Sequence, residues 1–179
     1  VKPVATAAAL ALASLAAPAG AQEAFAGLYV HGVDTPLTLH TGESGADVAV
    51  GYRLAPLEPL RAIGAPAPYL IASVNSGGDT SFAGVGLSWR FNAGRVYLRP
   101  AVAIVVHDGP ERRFHLPGGL RTDLGSRVLF EPEVGIGYQL DERLAVELSW
   151  MHVSHAQLFD RKQNPGIDMI GARLNWRLR

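Results

Sequence analysis

Residues 143–154 read RLAVELSWMHVS, and one parity of this run is almost wholly apolar. Leu144, Val146, Leu148 and Trp150 share that parity, and His152 and Ser154 continue it. Side chains two apart along a strand stand on the same face. A strand here presents a greasy face that ends in an imidazole beside a hydroxyl, while Glu147 lies on the opposite face. A buried core has little use for that pair.

The same alternation recurs along the chain, whereas helical periodicity is hard to find after Gln22. The pattern predicts eight strands, at Ala24–Val33, Ala46–Ala55, Pro66–Ser76, Thr80–Phe91, Arg95–His107, Ser126–Leu140, Arg143–Ser154 and Asp168–Arg179. Most have about ten residues, the length of a tilted membrane-spanning strand, and exceed the ~5–6 of an ordinary soluble strand. Val96, Leu98, Val102, Ile104 and Val106 oppose Tyr97, Arg99 and His107. Val128, Phe130, Val134, Ile136 and Tyr138 oppose Arg127, Glu131, Glu133 and Gln139. Ile170, Ala172, Leu174, Trp176 and Leu178 oppose Arg173, Asn175, Arg177 and Arg179.

Two architectures accommodate such strands. A soluble sandwich turns the apolar faces inward, and a membrane barrel turns them outward around a polar lumen. Three features favour the barrel. The strand count is even. The polar faces carry both signs (Arg99, Glu131, Glu133, Glu147, Arg173 and Arg177), as a narrow lumen filled with ion pairs requires. Tyr138, Trp150 and Trp176 lie on the apolar face, some near strand ends, where an aromatic girdle belongs. The reading is an all-β, eight-stranded antiparallel transmembrane β-barrel over residues 22–179.

Residues 1–21 are set apart from it. Lys2 supplies a positive start, Val4–Ala17 is apolar, and Ala19-Gly20-Ala21 forms a small-x-small cleavage site, so the segment reads as a secretory signal peptide. No later run offers the ~18 apolar residues of a membrane helix. The 179 residues carry zero formal net charge and no cysteine. This gives no basic footprint for nucleic acid and excludes disulfides, zinc–cysteine sites and thiol nucleophiles. His31, His40, His107 and His115 show no metal-ligand spacing, and no cofactor is implied.

Connection lengths alternate. Asn92-Ala93-Gly94 and Asp141-Glu142 are tight, whereas Asp34–Gly45, Asp108–Gly125 and His155–Ile167 are long. Short turns are periplasmic and long loops external in outer-membrane barrels. Two connections fit poorly: Ala55–Ala65 is long for a turn and Asn75–Asp79 short for a loop. Pro100 and Pro132 fall inside strands, where a closed barrel has no free edge to excuse a missing N–H, and predict bulges or broken ladder bonds.

Ten residues at ~3.3 Å each, tilted ~40°, rise roughly 25 Å, the height of the apolar band. His152 and Ser154 therefore belong at the outer-leaflet interface, facing lipid. Matching the apolar faces of the last two strands requires paired numbers with an even sum, expected near 322. Asp168 then lies opposite Ser154 and Ile170 opposite His152, with Asp168 also pointing outward. A carboxylate there costs only about 0–1 kcal/mol at the interface. A hydroxyl, an imidazole and a carboxylate on one patch have the logic of a serine nucleophile, its base and the group that orients the base. The same residues also fit an inert strand end.

The stretch His152-Val153-Ser154-His155-Ala156, followed by Asn164-Pro165-Gly166-Ile167-Asp168, resembles the signature of the lipid A 3-O-deacylase (PagL-type) family. That signature is similar to H-x-S-N-A-G-L, a short loop, then N-x-G-I-E. The resemblance implies an eight-stranded barrel in the bacterial outer membrane and a triad on its exterior. It makes Ser154 the nucleophile, His152 the general base and Asp168 the acidic member. The substrate it implies is lipid A in lipopolysaccharide of the outer leaflet. A homodimer is compatible with it.

Four departures stand out. Asp168 replaces the family's glutamate, and the intervening loop is about two residues longer. Gln157 replaces a glycine. His155 occupies the position of an asparagine implicated in the oxyanion hole, and strand parity would turn its side chain inward. The expected activity is hydrolysis of the 3-O-acyl ester of lipid A. The departures leave two alternatives: a non-enzymatic small barrel, structural or adhesive, and a barrel esterase acting on phospholipid.

Overall fold

The computed structural model describes residues 22–36, 38, 42–111, 124–156, 158 and 165–178. Residues 1–21, expected to form the signal peptide, lie outside these, as do His40, His115, Gln157 and Asn164. Alternation converts directly into extended chain. The strands are β1 (Glu23–His31), β2 (Ala46–Arg53), β3 (Ala67–Asn75), β4 (Phe82–Ser88), β5 (Phe91–Ala93), β6 (Val96–His107), β7 (Val128–Gln139), β8 (Leu144–Val153) and β9 (Ile167–Arg177).

Sequence neighbours pair antiparallel except β4 and β5, β1 pairs with β9, and β4 pairs with β6, so the sheet closes on itself. β4 and β5 meet β6 in one register (Ser88↔Ala101, Phe91↔Leu98) and are two halves of a single stave. The barrel therefore has eight staves, as the alternation predicts.

The interruption has an identifiable cause. Pro100 lies between Ala101 and Leu98 on β6, across from Trp89, whose N–H donates to the Pro100 carbonyl at 2.9 Å. Proline has no N–H to return the bond. Pro132 acts likewise on β7. The β7–β8 ladder stops at Glu133↔Met151 and resumes as an isolated bridge at Phe130↔Ser154.

The apolar face is outside. Leu28, Ile136 and Leu148 are 66%, 61% and 67% exposed, whereas Glu131, Glu147 and Arg173 are buried. This is the reverse of a soluble sandwich. Withdrawing a side chain of this size from water is worth about 1.5–3 kcal/mol, so such a surface belongs against lipid.

Ion pairs fill the lumen. Arg173 Nη2 bonds Glu133 and Glu147 together. Arg99 reaches Glu23 and Glu147, each at 3.0 Å, and Arg53 reaches Glu23 at 2.6 Å. The Tyr69 hydroxyl donates to Glu131 at 2.9 Å. Inward glycines make room for large partners: a Cβ on Gly137 would sit 2.0 Å from the Tyr97 ring.

Both ill-fitting connections have local explanations. Residues 58–63 form a 3-10 turn, closed by Gly64 in the left-handed conformation and tied down by the Trp89 indole N–H on the Ile63 carbonyl, 2.8 Å. The Asn75–Asp79 loop is short because the Asn75 side chain closes it, accepting from the N–H of Gly77 at 2.7 Å and of Asp79 at 3.1 Å.

Candidate active site

β8 and β9 run side by side to the end of the barrel that carries the long loops. Their register differs from expectation. Paired numbers sum to 320, not 322: Trp150 faces Ile170, His152 faces Asp168 and Val153 faces Ile167. Asp168 thus lies across from His152 rather than Ser154. The lumen supplies the reason, because this register sets Glu147 directly opposite Arg173, where the two form an ion pair.

Outward parity holds for Asp168, which nevertheless is wholly buried. The β1–β2 loop covers it. The Val33 N–H donates to the Asp168 carbonyl at 2.9 Å, and the Thr35 hydroxyl donates to Asp168 Oδ2. Directly opposed residues have Cβ atoms ≈ 4.5–5.5 Å apart, so the short aspartate side chain suffices to reach the imidazole.

Asp168 Oδ1 lies 2.7 Å from His152 Nδ1, and His152 Nε2 lies 2.9 Å from Ser154 Oγ. A carboxylate only accepts, so this arrangement places the imidazole proton on Nδ1 and leaves Nε2 to accept from the serine hydroxyl. Ser154 is held in place by its backbone, which exchanges two bonds with Phe130, at 3.0 and 2.7 Å. Its side chain is nearly buried, and the His152 ring is partly open.

Gly166 precedes β9 with φ +69°, and a Cβ there would lie 2.7 Å from His152 Cε1. Only a residue without a side chain leaves the ring where it is. His155 is wholly buried, one residue past Ser154, and its carbonyl accepts from the Leu158 N–H at 2.9 Å. Ala156 takes a left-handed φ of 51°, so the chain leaves strand geometry at this point. Among the described residues no cluster of His, Asp and Glu side chains is placed to hold a metal ion.

Residues 44–177 match the family model described as lipid A 3-O-deacylase (PagL). The chain belongs to this family. The match spans β2 to β9, including His152, Ser154 and Asp168. The structure is similar to the crystal structure of the outer membrane enzyme PagL, with a TM-score of 0.61 at 14% identity, covering 87% of this chain and 99% of that one. It is also similar to a barrel from the de novo design of transmembrane β-barrels, with a TM-score of 0.50 at 10% identity, covering 89% and 96%. No curated protein matches the sequence.

Thr35 and the contact of Gly166 with His152 escape a reading of the sequence. Thr35 is 133 residues from its partner. Nothing in strand alternation reports on loop contacts of that separation.

Proposed function

We propose that the protein is an outer-membrane serine esterase that hydrolyses the 3-O-acyl ester of lipid A through Ser154, His152 and Asp168. The observation that carries this reading is the continuous hydrogen-bonded chain Asp168–His152–Ser154 on the exterior rim of a barrel of this family. Ser154 Oγ attacks the ester carbonyl while His152 Nε2 takes its proton. Collapse of the tetrahedral intermediate expels the sugar 3-hydroxyl, protonated by His152, and leaves an acyl-serine. Water, deprotonated by the same nitrogen, then releases the fatty acid and restores the serine. Asp168 keeps the imidazole oriented and stabilises it when charged.

The oxyanion donor is assigned to the turn at His155. Departure from strand geometry at Ala156 supports this, since it frees the local backbone from the ladder. Location at the rim supports substrate entry sideways from the outer leaflet.

The test uses refolded protein in detergent with purified lipid A, read by mass spectrometry. Wild type is expected to release the 3-O-linked acyl chain, and Ser154→Ala to release none. Equal deacylation by the two would overturn the assignment. Phospholipid in the same preparation is expected to remain intact.

A further inference from the structure

The second oxygen of the Asp168 carboxylate has its own partner. Oδ1 serves His152, and Oδ2 accepts from the Thr35 hydroxyl, which reaches across from the loop between β1 and β2. That loop is shaped to do so. The Thr35 N–H donates to Thr38 Oγ1 at 3.3 Å, which closes a turn, and Val33 N–H anchors the same segment to the Asp168 carbonyl at 2.9 Å. The Thr38 methyl carbon lies 3.4 Å from where a Gly166 Cβ would be, so the loop also packs against the residue that abuts the His152 ring.

We propose that Thr35 is a positioning residue for ester hydrolysis, locking the Asp168 carboxylate so that Oδ1 stays on His152 Nδ1. The proposal rests on the reading of Ser154, His152 and Asp168 given above. The terminal torsion of aspartate is broad and roughly two-fold. A carboxylate with one partner swings about it, and a bond to each oxygen fixes its plane. Asp168 is wholly buried, so solvent water is a poor substitute for the Thr35 donor. Through Asp168, Thr35 controls the angle of an imidazole that must serve first the serine and then the leaving group.

Partners that act behind the reacting groups typically cost 10–100-fold when removed, as documented for the outer shells of metal sites. Wild type, Thr35→Val, Thr35→Ser, Thr35→Cys and Ser154→Ala are refolded in detergent, and folding is scored by heat-modifiable migration. Lipid A deacylation then gives kcat and KM for each. Thr35→Val is expected to lose about 10- to 100-fold in kcat with KM unchanged. Thr35→Ser should restore most of the rate. Thr35→Cys differs from Thr35→Ser only in sulfur for oxygen, a weaker donor, and should be slower. That pair carries the test even where valine prevents folding.

Wild-type kcat in Thr35→Val, or equal rates for the serine and cysteine variants, overturns the role of Thr35. No deacylation by wild type, or full deacylation by Ser154→Ala, overturns the hydrolase reading itself and the Thr35 role with it. An active wild type with a dead Ser154→Ala variant and an unaffected Thr35→Val variant overturns the Thr35 role alone.

Discussion

His152 and Asp168 face each other directly across β8 and β9, with Nδ1 and Oδ1 2.7 Å apart. Direct opposition is what lets the short side chain of an aspartate reach the imidazole. An extra methylene at this position would drive the carboxylate past the ring or off Thr35. Asp168→Glu is therefore expected to fold and to be slower than wild type. Asp168→Asn keeps the shape but replaces one accepting oxygen with an NH2 donor, which favours the wrong tautomer when it faces His152. Its expected loss in kcat is about 10⁴-fold, by analogy with the same change in serine proteases. Steady-state deacylation of lipid A by both variants checks the order: wild type, then Glu, then Asn.

Gly166 offers a test of how tightly the imidazole is confined. A methyl there would meet His152 Cε1 at 2.7 Å, and the backbone stands at φ +69°, a conformation side-chain-bearing residues rarely adopt. Gly166→Ala is expected to form the barrel, because the residue lies outside the ladder, but to push the ring off Ser154. Lower kcat with unchanged heat-modifiable migration is the expected result. Wild-type kcat would show that the ring tolerates the displacement.

The barrel was legible because its alternation is long and its faces differ sharply in polarity. Ile170, Leu174 and Trp176 against Arg173, Asn175 and Arg177 are enough to distinguish the two sides of β9, and exposure of Leu148 beside burial of Glu147 shows which side faces out. The ladder breaks at Pro100 and Pro132 were legible too, since a missing N–H is a property of the residue alone. Register was not. Parity restricts the β8–β9 sum to even values but does not choose between 320 and 322. The choice is made by Glu147 and Arg173, a pairing that is settled only when the lumen closes around both. Thr35 was out of reach for a related reason: its contact depends on how a loop folds back over the rim.

Acid should loosen the β7–β8 turn. Asp141 Oδ1 accepts from the N–H of Arg143 at 2.7 Å and of Leu144 at 2.8 Å, and these bonds hold its carboxyl below the usual aspartate range. A group with a depressed folded-state pKa stabilises the fold above its unfolded value, and that contribution fades as pH falls through the folded value. Faster amide exchange at Arg143 and Leu144 on acidification, after correction for intrinsic rates, is the expected signature. Asp141→Ala should show the faster exchange already at neutral pH and respond little to acid.

The lumen makes a prediction of larger size. Arg173 is wholly buried and bonds both Glu133 and Glu147, which lie on adjacent staves. Arg173→Met would leave those two carboxylates without their shared cation in a site closed to water. Breaking a buried pair by removing one partner costs roughly 3–5 kcal/mol, most of it from the stranded charge. The expected result is a large drop in the urea midpoint of the refolded barrel in micelles. Glu147 keeps Arg99 at 3.0 Å, so adding Glu133→Gln alone to Arg173→Met removes the stranded charge and should recover much of the loss. A double variant no more stable than Arg173→Met would mean that packing of the arginine side chain, rather than charge balance, holds this part of the barrel together.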